Sequence, residues 1–363
     1  MFDVHVIGGG PAGLFAGIAA LQEGKKVLLS EEHRSIGEPE ACSGLISKSG
    51  LDSLRPYIDY NEAVINEINS AKFLFGRREF TVLPKKETAL LVSRSILDSI
   101  AADRFEKEGG KLELGMKVTR GFQAKSIIGA DGPASFVADF FGFPKIRHFI
   151  SAMQGDFHYA CENPHQAQIF VSSREFPGFF GWVIPKSESE AKIGLGVSQP
   201  NHPLSHYRNF IARLGVKTKP TREFAAVIPV EARKRTAMEK ADRCILLAGD
   251  SAGQVKATTG GGVFFGANCG LLAGKHSCQP EKYEQAWRSK FGLDLSLHGR
   301  IRALLNLNGG QPPAAGVSLA KSLFFEDLLS EEGKMDRLSG MLSPSIISSY
   351  ASIMAKRISG GKK

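Results

Sequence analysis

The hexapeptide Gly8-Gly9-Gly10-Pro11-Ala12-Gly13, entered directly from an apolar run at residues 2–7, constrains this chain more than any other segment. The run reads as a buried strand, and the glycines open a helix rich in small residues. Gly8 permits a tight turn, Gly10 lets the backbone approach a pyrophosphate, and Gly13 lets the helix pack closely on the strand, which leaves phosphate at a helix N-terminus. A second strand is expected at residues 25–30. It leads into Glu31, about 20 residues past the glycines, where a carboxylate accepts ribose hydroxyls. The plainer reading of Glu31 is a solvated strand-end acid beside Glu32. Strand, glycines, helix, strand and acid in this register predict a Rossmann-like α/β domain that binds a dinucleotide.

With 363 residues and 42% hydrophobic content, the chain can bury one large core or two modest ones, and no run is long enough to cross a bilayer. The first strand begins near residue 3, which leaves no space for a secretory leader, so a cytoplasmic setting is expected. Cys42, Cys161, Cys244, Cys269 and Cys278 form no CxxC pair, so no metal site, iron–sulfur cluster or disulfide framework is expected. The net charge of +9 is spread along the chain without a nucleic-acid-binding signature. It favours an anionic lipid surface or no specific partner, and no nucleic acid.

Further along, a Gly/Pro/Ser-rich passage at residues 37–49 reads as an irregular functional loop. Alternating stretches at 71–75, 79–83 and 89–92 read as antiparallel strands. Ser93 is a candidate N-cap for a helix at 94–108, followed by a strand at 111–114. A strand at 126–130 leads into Asp131-Gly132-Pro133 and a helix at 134–141, and residues 148–197 turn to strands. That stretch carries Phe149, Phe157, Tyr159, Phe170, Phe176, Phe179, Phe180 and Trp182, which either line an apolar cavity on one sheet face or fill an ordinary core. A parallel-type strand at 244–248 opens onto Gly249-Asp250, then Thr258 to Gly262 and a small-residue helix. The expected division is a discontinuous dinucleotide-binding domain (1–65, 90–145 and 240–300), a substrate-binding antiparallel-sheet domain (66–89 and 146–239) and a helical C-terminal region (301–363), an α+β architecture overall.

Asp131-Gly132 and Gly249-Asp250, each after an apolar strand, join the first glycines as the three motifs of flavoprotein hydroxylase-type folds, which wrap one extended FAD. Asp250 can accept from a ribityl hydroxyl, and a helix beginning near Gly262 points its positive end at the flavin pyrimidine. Asp250 as a simple helix N-cap is the alternative. The segments Pro39-Glu40-Ala41-Cys42-Ser43-Gly44-Leu45, Phe180-Gly181-Trp182-Val183-Ile184-Pro185, Gly249-Asp250-Ser251-Ala252-Gly253 and Thr258 to Gly262 resemble the geranylgeranyl reductase family, in particular its archaeal digeranylgeranylglycerophospholipid reductases. The resemblance covers roughly residues 1–300. It implies a p-hydroxybenzoate hydroxylase-type fold, non-covalent FAD and saturation of isoprenoid double bonds. It also implies FAD contacts at Ala12, Gly13, Glu31, Cys42, Ser43, Gly44, Arg94, Val118, Asp250, Gly262 and Val263, with Val118 meeting adenine from a strand end. Three features depart from the family pattern: the short stretch between Gly115 and Asp131, the Cys-Ser-Gly loop, and Phe180 and Ile184 in the aromatic motif. They bear on substrate identity.

Reduction of an unactivated alkene needs a hydride on one carbon, a proton on the other and a cavity that excludes water. Flavin supplies the hydride. Trp182, with Phe180 and Pro185, would wall the substrate cavity and stabilise positive charge through the indole face, or Trp182 is a core residue. Cys42 is either redox-active or a small packed residue, and bound water or Cys42 is the candidate proton donor. Arg94 would meet the pyrophosphate or stand solvated in a first turn. The polyprenyl lipid substrate would be served by a transient reductant, NAD(P)H, ferredoxin or another reduced carrier, because no second nucleotide motif is present. Competing classes are a flavin monooxygenase or halogenase, since Trp182-Val183-Ile184-Pro185 is half of a Trp-x-Trp-x-Ile-Pro motif, and a non-catalytic prenyl-lipid-binding flavoprotein. Near the end, Ile346, Ile347, Tyr350, Ile353, Met354 and Ile358 fall at helical spacing beside Lys356, Arg357, Lys362 and Lys363. That helix either touches an anionic inner membrane surface peripherally or packs on the body.

Overall fold

A computed structural model describes residues 1–85, 88–307 and Asp336. The first sheet has six strands, β1 (Val4–Ile7), β2 (Val27–Ser30), β8 (Lys111–Glu113), β9 (Ser126–Gly129), β15 (Ala237–Lys240) and β16 (Arg243–Leu247), in the order β15-β16-β9-β1-β2-β8. All pairs are parallel except β15 with β16. β1, β2 and β9 are buried along their whole length, which is why they read as continuous apolar runs. Helix α1 (Pro11–Gln22) lies beside α6 (Val263–Lys275), and glycine makes that contact close. A Cβ on Gly270 or Gly274 would stand 2.2 Å from Ala12 O or 2.1 Å from Ala16 O. Because Gly270 meets Ala12 and Gly274 meets Ala16, the two helices run parallel and start at the same end of the sheet. Helix α3 (Arg94–Lys107) is capped by the Ser93 hydroxyl, which accepts from Ile96 N.

A second sheet of seven strands lies over that end. It comprises β5 (Ser70–Phe75), β6 (Arg78–Val82), β10 (Phe149–His158), β11 (Gln166–Phe170), β12 (Gly181–Pro185), β13 (Glu190–Ser198) and β14 (Arg222–Pro229), in the order β14-β10-β13-β12-β11-β5-β6. β5 and β11 pair in parallel and the others are antiparallel. Its two faces differ. Helix α5 (Pro203–Arg213) covers one of them, where Tyr207 and Phe210 pack with Phe157, Phe170, Phe176 and Val183. The other carries Phe179, Phe180 and Trp182. The aromatic stretch is therefore both core and cavity wall, because alternate residues of a strand leave on opposite faces.

Several expected boundaries move. The irregular passage expected over 37–49 ends at residue 44: β3 (Leu45–Ser47) runs into α2 (Lys48–Asp52), capped by Ser47 accepting from Gly50 N. β3 and β4 (Val64–Ile68) flank β7 (Ala89–Val92) in a third sheet, so β7 is not a partner of β5 and β6. β15, expected with the substrate sheet, closes the edge of the nucleotide sheet. After the short helix α4 (Phe136–Phe141), α7 (Pro280–Trp287) and α8 (Leu293–Leu307) are the last helices among the described residues. The apolar and basic positions from Ile346 to Lys363 lie outside the described residues. No helix among the described residues is long and apolar enough to cross a membrane.

Candidate functional site

A cavity of about 820 Å³ lies between the first sheet's helix starts and the bare face of the second sheet. Gly10, Pro11 and Ala12 line it at the start of α1, Gly262 and Val263 at the start of α6. Neither helix has a side-chain cap or an acidic residue in its first turn. Two uncapped, positively polarised helix ends thus converge on one space, which suits a diphosphate on one and an electron-rich ring on the other. Gly8 has φ +106°, and a Cβ there would meet Ala130 O at 2.2 Å. A Cβ on Gly13 would stand 1.9 Å from Gly8 O. At Gly10 the same test meets nothing within 4 Å, so that glycine faces open cavity rather than protein. These residues fit the group that their spacing predicts.

Glu31 sits just past the end of β2, 9% exposed. Its carboxylate accepts from Gly9 N at 2.6 Å and from His33 N at 2.9 Å, which aims it at the glycine turn and leaves lone pairs for sugar hydroxyls. Val118 does not behave as expected. β8 ends at Glu113, and Val118 lies in the following loop, packed with Phe122 against Ile127, Val137 and Ile245. The loop residues that meet the chain just past β2 are Gly115, Met116 and Lys117, of which Met116 N–H donates to Glu31 O at 2.8 Å. A short loop after a three-residue strand could not carry the expected strand end as far as residue 118.

Asp250 faces the cavity beside Gly262. Burial pushes its carboxyl up to about 6, with Arg94 opposing. Without a ligand, that shift works against folding as pH climbs from the ordinary carboxylate range through about 6. A hydroxyl donor at Asp250 stabilises the carboxylate but not the acid. FAD affinity of the apoprotein should therefore rise with pH up to about 6 and level off above it, by at most ~10-fold per pH unit. Titration of apoprotein with FAD across this pH range checks it, and a flat profile would remove Asp250 from the contact.

Arg94 also lines the cavity and pairs with Asp98 at 2.7 Å, one turn along α3. Burial alone would lower its pKa, but Asp98 and Cys42 outweigh burial and hold it above the ordinary arginine value. The solvated alternative for Arg94 is thus excluded. Cys42 and Ser43 line the cavity, and Gly44 N lies 3.4 Å from Cys42 Sγ. The loop carrying them is anchored by Glu40, which the sequence placed in the Pro39–Leu45 motif without assigning it a role. Glu40, 7% exposed, accepts from Lys192 Nζ of β13 at 2.9 Å and from the hydroxyls of Ser93 and Ser95, each at 3.2 Å. Burial raises its pKa, yet Lys192, Ser95 and Arg222 together hold it below the ordinary carboxylate value.

On the second sheet one register row crosses all seven strands: Phe224, Gln154, Gly194, Trp182, Ile169, Phe73 and Phe80. Five of these, all but Gly194 and Phe80, line the cavity. Gly194 leaves room for the indole opposite it, since a Cβ there would stand 2.6 Å from Trp182 Cζ2. Trp182 Nε1 donates to Gln154 Oε1 at 2.8 Å, and Gln154 Nε2 lies 3.4 Å from Cys42 O. Gln154, a residue without a sequence signal, thus joins the aromatic wall to the cysteine loop. Phe180 stacks on Phe179 at 4.2 Å and meets Trp182 edge-on at 5.8 Å. Pro185 does not line the cavity. It shares the parity of Gly181 and Val183 on β12 and so leaves on the face opposite Trp182 and Ile184.

Residues 3–53 match the FAD dependent oxidoreductase family model. A digeranylgeranylglycerophospholipid reductase of Methanocaldococcus jannaschii is 26% identical, over 90% of this chain and 93% of its own. A digeranylgeranylglycerophospholipid reductase 2 of Methanothermobacter thermautotrophicus is 29% identical, over 91% and 93%. Among solved structures, a geranylgeranyl bacteriochlorophyll reductase-like protein from Thermoplasma acidophilum superposes with TM-score 0.77 at 22% identity, covering 97% of this chain and 98% of the other. The flavin-dependent brominase Bmp2 shares the fold at TM-score 0.67 and 15% identity, over 98% and 99%. The likeness to geranylgeranyl reductases therefore spans most of the chain, and the chain is an FAD-dependent oxidoreductase.

Proposed function

We propose that this oxidoreductase saturates double bonds of polyprenyl chains, geranylgeranyl chains on a glycerophospholipid in the first instance. The observation that carries the reading is the row across the second sheet, aromatic and aliphatic but for Gln154 and Gly194, which opens into the same cavity as the two uncapped helix starts. The names of the archaeal relatives support it. When bound, reduced FAD supplies a hydride from N5, and no other step needs the cofactor. The amides around Gly10, Ala12 and Gly13 would hold the diphosphate with Arg94, Glu31 the ribose, Asp250 the ribityl chain, and Gly262 and Val263 the pyrimidine. Cys42, Ser43 and Gly44 would close over the ring. Val118 is proposed only as a neighbour of the adenine, from the loop that follows β8. Trp182 and Phe180 would exclude water and face the developing positive charge with their rings. Cys42 or a water beside it would deliver the proton. NAD(P)H, ferredoxin or another reduced carrier would dock transiently.

The deciding experiment incubates dithionite-reduced holoprotein anaerobically with archaeal-type membrane lipid and measures product mass. Hydrogens added in pairs to the prenyl chains are expected. No mass gain, together with NAD(P)H-coupled oxygen consumption, would instead indicate a monooxygenase or halogenase.

A further inference from the structure

The cavity is not apolar at both ends. At the β5–β6 edge its walls are Phe73, Phe75, Val82 and Pro84. At the other end stands Arg302 of α8, 6% exposed and part of the cavity wall. The two ends are joined by an aromatic series: the Arg302 guanidinium lies 5.3 Å from the Phe179 ring centroid, Phe179 stacks on Phe180, and Phe180 meets Trp182.

Arg302 is unusual among the buried cations. Lys192 faces Glu40 and Lys256 faces Asp336, whereas neither Arg233 nor Arg302 has a carboxylate within ion-pairing distance among the described residues, and of those two only Arg302 lines the cavity. Its neighbours are neutral acceptors: Ala257 O at 3.1 Å, Gly178 O at 2.5 Å and Ser198 Oγ at 3.0 Å. A guanidinium has five N–H groups, so these three bonds leave two unspent, and Nε has no partner. One turn earlier on α8, buried His298 holds Thr258 Oγ1 through Nδ1 at 2.6 Å and leaves Nε2 without a partner. Burial without a compensating anion is costly for a charge, and here burial lowers the Arg302 pKa to about 10, still protonated at neutral pH. Such a group is stabilised by an anion that arrives with a ligand.

We infer that Arg302 binds the anionic head of an amphiphilic substrate, a phosphate ester, and so gives the cavity a direction, with the head at Arg302 and the chain running past Trp182 toward Phe73 and Phe75. This rests on the reductase reading for the chain's identity but not for the binding. The scale agrees with a long molecule. Ser198, against Arg302, is four residues along β13 from Gly194, which pairs with Trp182, a separation of about 13 Å. From β12 to β5, the strand of Phe73, two further strand spacings add about 10 Å.

The test is calorimetric binding to oxidised, FAD-loaded protein, with farnesyl monophosphate, farnesol and inorganic phosphate as probes. Wild-type protein should prefer farnesyl monophosphate to farnesol by at least ~10-fold, the scale of one hydrogen bond to a charged group. Arg302→Met should abolish that preference while farnesol binds within about twofold of wild type, and Arg302→Lys should retain part of it. Equal wild-type affinity for the two prenyl probes overturns the inference without any variant. Parallel loss of both probes in Arg302→Met makes the residue a structural bracket. Inorganic phosphate binding as tightly as farnesyl monophosphate makes it a free-phosphate site. No turnover is read, so failure of the reductase reading leaves this result standing or falling separately.

Discussion

A Gly10→Val protein is expected to fold, purify in normal yield and come off the column colourless. The Gly10 backbone is extended, at φ −79° and ψ −178°, which valine adopts freely. A Cβ there touches no protein atom within 4 Å, so the folded apoprotein has no reason to object. The added side chain instead stands in the cavity at the start of α1, where two uncapped N–H groups would meet a diphosphate. Losing one or two charge-assisted hydrogen bonds there should weaken FAD by at least ~100-fold. The measurement is the flavin-to-protein ratio after acid precipitation, with and without added FAD. Gly13→Ala is the contrasting control. Its methyl would sit 1.9 Å from Gly8 O, so it should fail by losing the fold rather than the cofactor. A yellow Gly10→Val protein would place the cofactor elsewhere.

Trp182→Ala should show the converse pattern, normal FAD content and prenyl reduction lowered by about 100-fold. The indole lies in the middle of the cavity row, held by Gln154 and seated over Gly194, so its removal unseats the bond to be reduced without touching the helix starts. Misplacement of a reacting group by about 1 Å is enough for a loss of that size. Removing so large a buried ring also costs about 3–5 kcal/mol of stability, so a Gln154→Leu variant keeps the test clean. It leaves the ring in place but unanchored, and should lower turnover by a smaller factor. A folded Trp182→Ala protein that reduces polyprenyl lipid at the wild-type rate would remove this wall from the chemistry.

The cofactor was legible in the sequence because its contacts are local. Gly8, Gly10, Gly13 and Glu31 are spaced by one turn, one helix and one strand, and the covalent chain alone brings them together. Gly249-Asp250 and the start of α6 read the same way. Val118 lies beyond the expected strand end and Pro185 on the face away from the cavity for opposite reasons: one depends on where a three-residue strand stops, the other on strand parity, and neither leaves a compositional trace. Gln154 and Arg302 gave no signal at all, and Glu40 was visible only as a member of the Pro39–Leu45 motif, without its role. Each acts on a partner far away in sequence, Glu40 on Lys192 across 152 residues and Arg302 on Gly178 across 124.

The sequence by itself therefore determined the nucleotide half of this protein, since backbone turns and helix starts are properties of short segments. Only the tertiary structure decided the substrate half. Which residues of seven strands share a row follows from pairing register, and a slip of one residue would send Trp182 to the face where Phe176 now lies. The direction of the cavity is likewise a tertiary fact, because it depends on a buried guanidinium that α8 brings back to the sheet from the far end of the described chain.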